Sequence, residues 1–128
     1  MRVLVDTSVW VAHWRARNAA LAALLQADAA LMHPMVLGEI ACGTPPQRAT
    51  SLAALADLRP AHQATPSETL ALIERHTLYG QGLGWVDCTL LASTLITPAA
   101  RLWTLDARLA AQAQRLGVGY QPALPAPH

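Results

Sequence analysis

The sequence predicts an α/β fold of three layers, a parallel sheet of four or five strands flanked by helices. Three observations predict it. Short Val- and Leu-rich runs alternate with longer helical stretches, the pattern of strand–helix–strand crossovers. The first run, Val3-Leu4-Val5, is apolar throughout, as a strand buried on both faces requires. The length of 128 residues suits one domain, and a chain of that size buries roughly two-thirds of its unfolded surface without help from disulfides.

The elements follow in order. After the first strand, Asp6-Thr7-Ser8 supplies helix-capping types ahead of Val9-Trp10-Val11-Ala12-His13-Trp14. Asn18 opens a second helix to about Ala27. Ala30 to His33 is a second strand, stopped by Pro34, and Met35 to Cys42 is a helix ending at Gly43. Thr44-Pro45-Pro46-Gln47 predicts a helix start with Thr as cap and Pro at the first position, running to about Leu58. Residues 58–63 hold at most an edge strand, because Pro60 disfavours a central one. Thr65-Pro66-Ser67-Glu68 predicts a capped helix to Tyr79, and Gly80-Gln81-Gly82-Leu83-Gly84 a flexible break. Trp85 to Ile96 is a helix closed by Pro98, and Arg101 to Thr104 a strand. Asp106 caps a helix to Leu116, and Val118 to Tyr120 is a last strand. Residues 1–120 form the domain, and 121–128, with three Pro, a tail that frays.

Composition narrows the function. Hydrophobic residues make up 53% and charged residues 13%, so the chain is not disordered. Nine Arg against eight acids give a net charge of +1, too little for a strongly basic nucleic-acid coat but compatible with local basic contacts. There is no Lys, which excludes a Walker-type phosphate loop and any lysine Schiff base. Cys42 and Cys88 stand far apart, as in a protein of the reducing cytoplasm, and both read as small core residues. No apolar stretch is long enough for a membrane span.

The acids are the informative residues. Glu68 reads as a cap, Asp28 and Asp57 as helix-end or turn residues, and Glu74 as one charge on a mixed helix face. Asp6 and Asp106 each follow a predicted strand, with helix capping as the competing role for both. Glu39 has Met35, Val36 and Cys42 as helical neighbours, an apolar setting in which a lone charge is costly unless paired. Asp87 has Leu90 and Leu91 beside it, with a first-turn Asp favoured by the helix dipole as the alternative. In open parallel sheets ligands sit beyond the carboxyl ends of the strands. Four carboxylates converging there repel one another, and only Arg108 is close in sequence. An all-oxygen donor set of this kind suits Mg²⁺ or Mn²⁺. Zinc is disfavoured, since the His and Cys residues show no paired spacing.

These residues make the chain recognisable. Val3-Leu4-Val5-Asp6-Thr7-Ser8-Val9-Trp10, Glu39 in its apolar helix, Gly82-Leu83-Gly84-Trp85-Val86-Asp87 followed by Leu90-Leu91-Ala92-Ser93, and Leu102-Trp103-Thr104-Leu105-Asp106 together resemble the PIN-domain ribonucleases, specifically the VapC toxins of bacterial VapBC toxin–antitoxin pairs. The resemblance covers nearly the whole chain and implies the PIN-like form of the α/β fold. It implies a metal-dependent endoribonuclease in which Asp6 and Asp87 are the principal ligands of Mg²⁺ or Mn²⁺, and Asp106 and Glu39 complete the acidic pocket. Thr104 and Ser8 match positions that orient ligands or water. The products implied are a 5′-phosphate and a 3′-hydroxyl. A cognate VapB-like antitoxin and a toxin homodimer are implied as partners.

Weaker signals surround that core. Arg108 is the best candidate for an RNA phosphate contact, with Arg15 and Arg17 behind it, against the plain role of solvated surface Arg. Trp10, Trp14, Trp85 and Trp103 read as core residues in preference to base-stacking ones, although Trp14 and Arg15 end the first helix where RNA or antitoxin can meet them. Two other readings compete. A catalytically silent PIN-like module would bind RNA or protein without cutting. A haloacid-dehalogenase-like phosphotransferase would need a second Asp where Ser8 stands.

Overall fold

The computed structural model describes residues 1–122. Four strands form one parallel sheet in the order β3-β2-β1-β4: β1 (Arg2–Val5), β2 (Ala30–Met32), β3 (Arg59–Pro60) and β4 (Ala100–Trp103). Between β1 and β2 lie α1 (Thr7–Arg15) and α2 (Ala19–Gln26); between β2 and β3 lie α3 (Pro34–Cys42) and α4 (Arg48–Ala56). Helices α5 (Pro66–Arg75) and α6 (Trp85–Ile96) connect β3 to β4, and α7 (Ala107–Arg115) follows. The chain moves one way from β1 to β3 and then returns across the sheet to β4. Right-handed crossovers therefore put α1–α4 on one face and α5–α6 on the other. Val3, Leu4 and Val5 are wholly buried between these layers.

This topology positions the site. Strands β1 and β4 are neighbours in register, Val5 opposite Trp103. The chain leaves β1 toward one face and enters β4 from the other, so a crevice opens beyond their carboxyl ends. Asp6 directly follows β1, and Thr104 directly follows β4.

Several boundaries differ from the sequence expectation for identifiable reasons. The helix expected from Thr44 starts at Arg48, with Gln47 as its cap at φ 47°. Pro46 keeps Pro45 out of the helical region, so the Pro-Pro pair delays the start. Arg48 fills the gap, donating to the carbonyls of Ala41 at 2.6 Å and Gly43 at 2.9 Å. The helix expected to reach Tyr79 stops at Arg75. Thr77 turns left-handed (φ 53°), and the Leu78 N–H donates to the Ile73 carbonyl at 3.0 Å, closing the last turn without glycine. The strand expected at Val118–Tyr120 is a single parallel bridge from Gly119 to Leu102. Cys88 is buried but Cys42 is exposed, because α3 ends there at the surface. Trp10 and Trp103 are core residues and Trp14 packs at its margin, but Trp85 is exposed because it starts α6 a turn before the buried run from Cys88. The expected tail lies almost wholly in 123–128, outside the described residues. No helix among the described residues is long and apolar enough to cross a membrane.

Candidate active site

Asp6 is the centre of the site. Ending β1, it is carried into the crevice and is only 8% exposed. Its backbone caps α1, but its side chain does not. The Oδ2 atom instead accepts hydrogen bonds from Ser8 Oγ at 2.7 Å and Thr104 Oγ1 at 2.8 Å. Both hydroxyls also accept, Ser8 Oγ from the Leu105 N–H at 3.0 Å and Thr104 Oγ1 from the Asp106 N–H at 3.1 Å. Two hydroxyls thus tie the end of β1 to the turn after β4 and fix one oxygen of the buried carboxylate.

The other acids are each held in the same way, by one oxygen. Asp106 caps α7 through Oδ1, which accepts from the Leu109 N–H at 2.9 Å. Asp87, in the first turn of α6, accepts the Gly84 N–H on Oδ2 at 3.1 Å. Glu39 on α3 accepts from Thr7 Oγ1 on Oε1 at 2.7 Å. The second oxygens of Asp6, Asp87, Asp106 and Glu39 have no hydrogen bond among the described residues. Capping, which competes with function for these residues in the sequence, is here compatible with it.

Electrostatics joins three of them. Burial pushes the Asp87 carboxyl above its usual range, and the charges of Asp106 and Asp6 push it further the same way; the Gly84 hydrogen bond opposes them. The ion pair found among the described residues, Arg59–Asp28, links the start of β3 to the turn before β2 and neutralises none of these acids. A hard divalent cation suits the site: the donors are all oxygens and their repulsion is uncompensated. The acids do not close into a cage as placed. No three His, Cys, Asp or Glu side chains among the described residues stand close enough to share an ion.

Glu39 differs from its sequence expectation. It is exposed, so burial does not make its charge costly, and its tie to the site is the Thr7 hydroxyl next to Asp6. Sequence reasoning reads Thr7 only as a capping type. With Thr7 and Arg15, Glu39 borders a cleft of about 460 Å³ between α1, α3 and the loop that follows α3. Arg17 is exposed and does not line that cleft. Arg108, in the first turn of α7, is exposed and lies against Gly82.

Comparison with known proteins gives a consistent result. A family model described as the PIN domain matches residues 3–115. Curated relatives named "Ribonuclease VapC32", from Mycobacterium tuberculosis strains CDC 1551 / Oshkosh and ATCC 25618 / H37Rv, are 47% identical over 116 residues, covering 91% of this chain and 94% of theirs.

Proposed function

The chain belongs to the PIN-domain family, and we propose that it is an endoribonuclease, the toxin of a VapBC-type toxin–antitoxin pair, which hydrolyses RNA phosphodiesters with Mg²⁺ or Mn²⁺. The observation that carries the chemistry is geometric: Asp6 lies buried beyond the carboxyl ends of the neighbouring strands β1 and β4, fixed through Oδ2 by Ser8 and Thr104, and Asp87, its pKa raised chiefly by burial, feels the charges of Asp106 and Asp6 there. Asp6 and Asp87 would be the principal holders of the ion, with Asp106 and Glu39 bordering it to complete the acidic pocket. Bound there, it supplies Lewis acidity toward the phosphodiester and makes water more acidic near neutral pH.

The chain's own residues prepare the site. Thr104 and Ser8 hold Asp6 Oδ2, so its Oδ1 stays available and the carboxylate does not turn to cap α1. Thr104 also accepts from the Asp106 N–H, so one hydroxyl sets the relative position of two acids. Thr7 aims Glu39, and the Gly84 N–H holds Asp87. Arg15, on the cleft wall beside Glu39, offers a cation to the RNA backbone. In-line attack by water breaks the bond from phosphorus to the 3′-oxygen, leaving a 5′-phosphate and a 3′-hydroxyl.

The partners proposed are RNA, a VapB-like antitoxin and a second copy of the chain, in the cytoplasm. A shallow groove of about 200 Å³ between α1, α2 and α4, with the half-buried Trp14 and Leu58 on its wall, offers an apolar surface for an antitoxin segment to cover. The direct test is RNA cleavage with Mg²⁺ or Mn²⁺. The expected result is cutting that EDTA and Asp6→Asn each abolish. Cutting that survives both would overturn the metal mechanism, and no cutting under any condition would favour a silent binding module.

A further inference from the structure

Arg108 occupies an unusual position. Its side chain lies so close to Gly82 that a Cβ there would meet Arg108 Cδ and Nη1 at 2.7 Å and Cζ at 3.1 Å. Gly82 is itself left-handed (φ 79°), a conformation that favours glycine, and its missing side chain leaves the room that the exposed Arg108 side chain takes. The contact joins α7, two residues after Asp106, to the loop whose Gly84 N–H holds Asp87. Yet the guanidinium forms no ion pair among the described residues. A cation in the first turn of a helix also opposes the helix dipole, so this Arg does not serve α7. It is a fork of donors with no ion pair among the described residues, beside the loop whose Gly84 N–H holds Asp87.

We propose that Arg108 binds an RNA phosphate adjacent to the scissile one, and that Gly82 gives its side chain the room to lie beside the Asp87 loop. This rests on the ribonuclease reading. The planar fork suits two phosphate oxygens at once, which Lys would not reproduce. The contact positions the strand and carries no base preference.

The test compares Arg108→Ala, Arg108→Lys, Gly82→Ala and a control, Arg2→Ala, which removes the same charge from the opposite end of β1. Two readouts are taken: steady-state cleavage, and binding of a labelled single-stranded RNA by fluorescence anisotropy in the Asp87→Asn background, across a salt series. Arg108→Ala is expected to raise KM about tenfold with kcat within about threefold. It should weaken binding equally for unrelated sequences and lower the salt slope by about 0.7. Arg108→Lys should restore the slope but not the full affinity, and Gly82→Ala should weaken binding while keeping the slope. The proposal is overturned if Arg108→Ala matches Arg2→Ala in KM and slope, or if it lowers kcat and thermal midpoint with binding unchanged, which would make Arg108 a loop clamp. If the unmodified chain cuts no RNA, the ribonuclease reading fails first.

Discussion

Helices α5 and α6 begin with the same device and put it to different uses. Each has an acid at its third position that accepts the backbone N–H of the cap residue: Glu68 from Thr65 at 2.8 Å, Asp87 from Gly84 at 3.1 Å. In α5 the device is closed, because Thr65 Oγ1 accepts in return from the Glu68 N–H at 3.1 Å. In α6 the cap is glycine, which has no side chain to return the bond. The hydrogen bonds to Thr65 hold the Glu68 carboxyl below its usual range, whereas burial and the charges of Asp106 and Asp6 hold Asp87 above it. The local motif does not decide function. Exposure makes Glu68 a cap, and the company of other carboxylates makes Asp87 part of a site.

The sharpest way to break the comparison is to neutralise both acids. Asp87→Asn should cost at least about a hundredfold in RNA cleavage, beyond the 10–100-fold typical of groups that merely support a ligand, while Glu68→Gln leaves cleavage unchanged. Equal effects would dissolve the distinction. Thr104→Val removes a hydroxyl that serves both Asp6 and Asp106, and should cost about 10–100-fold in activity. It should also cost about 1–3 kcal/mol in stability by chemical denaturation, since Asp6 is left buried with one donor fewer.

The pH dependences should separate the two acids next. In metal-free protein the Asp87 carboxyl should titrate at higher pH than that of Glu68, read by carboxyl-carbon NMR. Its folded-state value is raised, so its contribution to stability is present at low pH and lost as pH rises through that value. Glu68 has the opposite sign: its contribution is present above the unfolded value and lost as pH falls through the lowered one. Asp106→Asn should lower the Asp87 value and leave Glu68 where it is.

The smallest effect isolates burial from charge. His33 is buried with Nε2 3.0 Å from Ser93 Oγ, and its Nδ1 accepts from the Met35 N–H at 3.1 Å. An accepting Nδ1 makes the ring neutral, with the proton on Nε2. Burial lowers its pKa, so stability should fall as pH drops below the ordinary value of 6.5, a fall that His33→Gln removes from the thermal midpoint profile.

Much of this was legible in the residues themselves. The all-apolar Val3–Val5 run, the Thr65–Glu68 capping pair and the limits of α6 appear where the sequence predicts them. So does the placing of Asp6 and Asp106 beyond strand ends, because strand length and capping are local properties. Local signals failed where two of them competed, as with Thr44 against the Pro45-Pro46 pair, or where a β-branched residue takes the left-handed place usual for glycine at a helix end, as at Thr77. Within the site, the sequence marks which acids reach the sheet edge but not what holds them. The Thr7–Glu39 bond spans 32 residues and the Thr104–Asp6 bond 98, and neither leaves a pattern in the chain. Gly82 reads as a hinge, and only the packed structure shows that its missing side chain makes room for Arg108.

The central proposal is that Asp6 and Asp87, with Asp106 beside them, bind a doubly charged ion beyond the carboxyl ends of β1 and β4. Thermal unfolding with and without Mn²⁺ tests it directly. The unmodified chain and Glu68→Gln should melt at a higher temperature with the ion. Asp87→Asn should melt higher than the unmodified chain without the ion and gain little from adding it. A midpoint indifferent to Mn²⁺ in the unmodified chain, or an Asp87→Asn variant that gains as much from the ion as Glu68→Gln does, would contradict the account.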